Sequence, residues 1–321
     1  MSSRVPVRRA SSSRSEASRV PKIPPNTFGA AFGLSGLAGA WSTAANHGLV
    51  PGGIGRALLV LAAVIWLVTL VAYLIGGSVR TDLVHPIFAP FVSLAVITPI
   101  LLSAGLHPYA PSLSTVLTDT FIALAVVHGA WFTGQLIYAE FAIDQLHPGY
   151  FLPTVAGGLV AATSAAQIGQ HALGRVMFGY GMVCWLVLGS IILARLFFRP
   201  ALPTLLLPTL AIEVAPAAVA SLAWFALNGG VIDMMAQFLA GYGVLMALAQ
   251  LRLLPLFVRL KFSIGFWAFT FAWAAVASAL LHWVTNDVLA WLILIAITAL
   301  VGAIAVRSLM ALAKGTLFPA K

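Results

Sequence analysis

Few groups in this chain could do chemistry, and their spacing decides which kind. His128, His171 and His282 stand singly, without the spacing of metal ligands. The sequence holds no HExxH zinc helix, no Walker phosphate loop and no GxSxG nucleophile elbow. Its single cysteine, Cys184, allows neither an intramolecular disulfide nor a thiolate metal site. Two carboxylates stand out: Glu213, inside the apolar stretch TLAIEVAPAA, and Asp119, near the start of another apolar run. One aromatic run, GFWAFTFAWAA (265–275), sets Trp267, Phe269, Phe271 and Trp273 at every second position.

A carboxylate at the centre of a bilayer costs roughly 3 kcal/mol to insert, so Glu213 must face protein or water, or carry a proton. It is either a proton-coupling or selectivity group, or a structural carboxylate bonded to a neighbouring helix. Asp119, closer to a helix end, reads as structural. On a helix, residues two apart point in nearly opposite directions, so the four rings cannot share a face. Trp267 can share one face with Phe271, and Phe269 another with Trp273. By periodicity alone, all four pack in a core.

The elements that must hold these groups are helices in a membrane. Hydrophobic residues make up 61% of the 321 residues and charged residues 8%, against about 25% charged in a soluble domain. The apolar runs are long and rich in Ala, Leu, Val and Gly, unlike the alternating segments of about 10 residues in a membrane barrel. Poverty in titratable groups argues against an enzyme acting within the membrane, and nothing calls for a cofactor or a metal.

Ten apolar spans are predicted, at about 27–46, 54–76, 86–106, 114–140, 148–171, 174–197, 203–226, 231–250, 262–283 and 288–312. Residues 1–25 read as a disordered basic tail, 26–314 as one membrane domain and 315–321 as a short C-terminal segment. The tail lacks the apolar core of a secretory signal. All but two cations, Arg56 and Arg175, fall on one side of this topology. The positive-inside rule then places both termini in the cytoplasm, and it accounts for the net charge of +9 without nucleic acid.

The odd spans start about every 59 residues, which makes five hairpins of one orientation. Span 1 carries Gly29, Gly33, Gly36 and Gly39; span 3 carries Pro90 and Pro99; span 5 carries Pro153, Gly157 and Gly158; span 7 carries Pro208 and Pro216. Even spans have no internal proline within these bounds. A proline frees a carbonyl that lipid cannot satisfy, so the odd spans belong inside. The simplest arrangement is a pseudo-fivefold ring of odd helices around a central pore. A compact bundle of kinked helices without a pore is the alternative. No ring of acidic residues repeats across the odd spans, as a cation pathway would require, whereas helix N-termini and a basic mouth suit an anion.

The stretches FGAAFGLSGLAGAW (28–41), HPIFAPFVSLAVITPILLSAG (85–105), HPGYFLPTVAGGLVAATSAA (147–166), APAAVASLAW (215–224), GYGVLMALAQLRLLP (241–255) and FSIGFWAFTFAWAAVASA (262–279) carry a resemblance. Together and in order, they resemble the tellurite-resistance/dicarboxylate transporter family. That family includes bacterial TehA proteins, fungal malate and sulfite transporters, and the slow anion channels of plant guard cells. The bacterial branch is the most similar. The resemblance implies ten helices in five hairpins, odd helices around a pore, a homotrimer with one pore per subunit, and a bacterial inner-membrane location. It also implies passage of small inorganic or organic anions across the lipid bilayer. In the family a phenylalanine of the ninth helix, in a W-A-aromatic-S/T-F pattern, plugs the pore; WAFTF places Phe271 there. Relatives often follow that residue with Pro or Gly, where this chain has Ala272.

The expectation is therefore an anion-selective channel gated by Phe271. Phe32, Gly33, Gly36, Pro99, Pro153, Gly157 and Pro216 are its candidate lining residues. The alternative is a proton-coupled or exchange transporter of a dicarboxylate, sulfite or tellurite-type oxyanion, with Glu213 as the coupling group.

Overall fold

The computed structural model describes residues 23–76, 79–138 and 142–318. Most of the expected basic tail, and the last three residues, lie outside that range. Among the described residues every regular element is helical. Seven stretches are long and apolar enough to cross a membrane: Gly53–Ile75, Pro111–Tyr138, His171–Phe198, Leu207–Asn228, Met234–Phe257, Ile264–Leu281 and Asp287–Ala313.

The three other expected spans are helical but do not meet that standard. The first, α1 (Gly29–Asn46), is 18 residues rich in Gly, Ala and Ser, so its side chains supply little apolar surface. The third is broken at Ser93 into α4 (Ala89–Val92) and α5 (Leu94–Gly105), after a short α3 (Val79–Val84). The fifth starts as a 3-10 turn (Pro148–Phe151) and a π turn (Leu152–Ala156) before α7 (Gly157–Gln167). Proline and glycine break the third and fifth in the ways their backbones dictate, while α1 runs unbroken.

The long uninterrupted helices are α2 (Gly53–Ile75), α6 (Pro111–Tyr138), α8 (His171–Phe198), α10 (Met234–Phe257) and α12 (Asp287–Ala313). They expose rows of large apolar side chains, such as Val60, Val64, Leu67 and Val71 on α2, a surface suited to lipid. Helix α10 runs past its expected end and takes in Pro255, in its last turn. A proline so close to a C-terminus disturbs only the final turn.

The interrupted segments are buried instead. Every residue of Gly157–Ala162 in α7 is buried, as is every residue from Ala215 to Ser221 in α9 (Ala215–Asn228). The last of these inner helices is α11 (Trp267–Leu281). Contacts run from α1 to α5, α5 to α7, α7 to α9, α9 to α11, and from α11 back to α1. Each inner segment also packs on the long helix that follows it.

Side chains take up the carbonyl that Pro99 frees and several others in the inner segments. Pro99 cannot donate to the carbonyl four residues earlier, and the Trp66 indole of α2 donates to that Ala95 oxygen at 3.0 Å. Ser103 Oγ donates to the Pro99 carbonyl at 2.7 Å, and Ser93 Oγ to that of Pro90 at 2.6 Å. Gln250 of α10 donates to the Leu210 carbonyl at 2.7 Å, within the 3-10 stretch Leu207–Val214 that leads into α9.

Candidate functional site

The inner segments enclose two cavities of about 990 and 1010 Å³. The first opens where the chain ends gather, beside Pro24, Arg307 and Lys314, and is called proximal. The second, distal cavity opens beside Asn46, Arg56, Tyr109 and His282. All five inner segments line both. On the proximal side they present Phe32, Leu94, Val155, Pro216 and Phe271, and on the distal side Gly36, Leu101, Val160, Leu222 and Ala275. Only Val219 and Phe271 touch both cavities among the described residues. The two rooms therefore meet at the Phe271 ring.

Local sequence explains how that ring is held. Phe32 of α1 is buried and stacks on Phe271, with centroids 3.6 Å apart and planes 17° from parallel. The close pairing of α1 with α11 depends on glycine. A Cβ at Gly33 would overlap Thr270 Oγ1 and lie 2.7 Å from its Cβ. A Cβ at Gly36 would lie 2.9 Å from Phe271 Cδ2 and 3.3 Å from Phe271 Cα. Small residues let membrane helices approach in this way. Helix α11 continues unbroken through Ala272, so no kink follows the ring.

The alternating aromatics divide between two faces. Trp267 and Phe271 line the proximal cavity, and the Trp267 indole donates to Ser308 Oγ of α12 at 2.9 Å. Phe269 turns away and meets Phe257 of α10 edge to face at 4.9 Å. Gly33, Pro99, Pro153 and Gly157 are buried but are not among the residues lining either cavity. Gly33 and Pro99 instead serve the contacts between inner segments and their neighbours described above. Val219 is the waist residue that sequence reasoning missed; a valine in an Ala-rich run carries no signal of its own.

Electrostatically the waist is neutral. Arg307 and Lys314 stand at the proximal mouth, with the Arg307 guanidinium 4.9 Å from the Phe262 ring centroid. Asp82 is the only carboxylate lining that cavity among the described residues, and none lines the distal one. Glu213 lies behind the wall, 7% exposed and outside both linings. Its Oε1 is buried without a hydrogen-bond partner among the described residues. Asp119 accepts from Gln170 Nε2 at 3.1 Å and so ties α6 to the start of α8. No group of three or more His, Cys, Asp or Glu among the described residues could hold a metal.

Residues 22–312 match the family model of SLAC1, the voltage-dependent anion channels. The chain is 28% identical over 315 residues to a tellurite resistance protein TehA homolog of Haemophilus influenzae, covering 92% of this chain and 93% of that one. It is 27% identical over 296 residues to the S-type anion channel SLAH3 of Arabidopsis thaliana. That match covers 82% of this chain but 43% of the plant protein, so the chain spans less than half of that relative.

Proposed function

This chain belongs to the SLAC1 family of voltage-dependent anion channels, and we propose that it is a passive anion channel whose closed state is made by Phe271. The observation that carries this reading is the position of one ring between two cavities, braced by Phe32 and lined on both sides by the same five inner segments. Anions enter from a mouth bearing Arg307 and Lys314, cross an apolar waist, and leave through a cavity without carboxylates. A neutral, ring-filled constriction excludes ions by volume and by dewetting.

The architecture in this reading is ten spans in five hairpins, with pseudo-fivefold symmetry about the cavities. The short, broken segments count as spans because the outer helices shield them from lipid. Three such pores assemble as a homotrimer in a bacterial inner membrane, with the proximal cavity facing the cytoplasm. The orientation has a direct check. In a Cys184→Ser background, a membrane-impermeant thiol reagent applied to intact cells labels a cysteine placed at the exposed Gly52 or Asn286, and not one at Asp144. The reverse pattern would turn the protein over.

A second reading, a carrier coupled to protons, draws on the unpartnered Glu213 oxygen. Planar-bilayer recording separates the two. A channel gives unitary current steps, whereas a carrier gives saturable flux without them. Glu213→Gln leaves the pH dependence of transport unchanged if the channel reading holds. Loss of that dependence in a folded protein would favour the carrier.

A further inference from the structure

The distal cavity gathers cationic and titratable side chains from four separate parts of the chain. His47 caps the end of α1, Arg56 lies in the first turn of α2, His107 follows α5 and His282 caps α11. The His47 and His282 rings lie 5.2 Å apart, at 79° to each other. Phe225 stacks on His282 at 4.3 Å and holds that ring in the wall. Arg56 Nη1 donates to Tyr109 Oη at 2.9 Å, which engages one of the five N–H donors of its guanidinium. His107 Nδ1 is buried without a hydrogen-bond partner among the described residues.

Tyr109 is the remaining titratable group in the lining. The carboxylates and cations at the same end stand outside it. Asp119 is engaged by Gln170, and Asp233 by the Ala236 amide at 3.0 Å and the Trp224 indole at 2.8 Å. Asp287, His171 and Arg175 belong to helix starts away from the cavity. Two imidazoles 5.2 Å apart repel each other when both are charged, and an anion between the rings would relieve that repulsion.

We infer that His47, Arg56, His107 and His282 form an anion-binding site that takes a halide or a small oxyanion, and that protons and anion bind there cooperatively. Acid charges the imidazoles and tightens the anion; the bound anion in turn favours the charged imidazoles, as linkage requires. The binding site stands on its own geometry, while its role in collecting anions for passage rests on the channel reading.

The test uses the full-length protein in detergent, with sodium chloride exchanged for sodium gluconate at constant ionic strength. Thermal unfolding read against chloride gives an apparent affinity at about pH 7.5 and about pH 5, the range over which histidine charges. Chloride binds at least about fivefold tighter at the lower pH, a typical size for coupling between two ligands. The His47→Gln/His282→Gln protein shows the same affinity at both. If loss of the Phe225 stack unfolds it, His47→Gln alone, on an exposed ring, halves the pH effect or more. A wild-type protein that ignores chloride, or a folded double variant that keeps the full pH effect, would overturn the site. Current through Phe271→Ala protein gives an independent reading. Acid on the distal side raises it unless both histidines are replaced. Absent current with intact chloride binding sinks the channel reading and leaves the site standing.

Discussion

Replacing Phe271 with alanine is expected to raise anion conductance in planar bilayers by at least about tenfold, the change produced when ~1.4 kcal/mol leaves a barrier. The ring is the main group shared by the two cavities, and its loss joins them. The backbone around it does not collapse, because Gly33 and Gly36 already bring α1 against α11 as closely as their atoms allow. Anion preference over cations persists, since Arg307, Lys314 and Arg56 are untouched. Phe271→Leu gives a smaller rise because its side chain still fills part of the waist. Phe269→Ala leaves conductance near the wild-type value and instead lowers stability by ~3 kcal/mol or more, as for a buried phenylalanine, since that ring packs on Phe257. A conducting Phe269→Ala protein beside a silent Phe271→Ala protein would move the gate to the other face of α11.

The second large effect belongs to Phe32. Its stack with Phe271 is worth about 0.5–1.5 kcal/mol beyond the area it buries, so Phe32→Ala lets the gate ring leave the waist more often. Conductance rises several-fold, less than for Phe271→Ala. The rings act as a unit, and the double variant should conduct little more than Phe271→Ala alone. Fully multiplicative effects, measured as a double-mutant cycle, would show that the two rings do not cooperate.

Much of this arrangement was legible in the sequence, for reasons that differ from part to part. Apolar runs bounded by Asn, Gly and Pro placed most helix ends within a few residues, because those residues favour helix ends, but α10 runs seven residues past its expected end at 250. Proline marked the third, fifth and seventh segments as buried, although Pro255 falls on the outer α10, and it did not reliably mark what faces a cavity. Pro99 lies inside α5, and its freed Ala95 carbonyl is taken by Trp66, on the outer helix rather than in the cavity. The same limit applies to Pro153 and Gly157, which are buried away from both linings. Phe271 was singled out by resemblance, since period alone would have packed it with its neighbours. The Phe32 stack and the distal histidines escaped because they join residues far apart in sequence, and one chain without its fold gives no sign of such meetings. Glu213 drew notice as a mid-membrane charge, and its place behind the wall is a matter of which way one helix face turns.

The glycine seam between α1 and α11 has a consequence for how the protein is made. It joins a segment near the start of the chain to one near the end, and Trp41 of α1 also donates to Thr298 of α12 across 257 residues. Synthesis delivers α1 first, and α1 is too poor in apolar side chains to sit comfortably in lipid by itself. Its best partner emerges from the ribosome only after every other inner segment has been inserted. The growing chain therefore carries an open, glycine-lined flank through most of its assembly, and contacts of such long separation form slowly. A ribosome that stalls before Trp267 leaves a nascent protein with that flank exposed, the kind of unfinished edge that membrane quality control is equipped to remove.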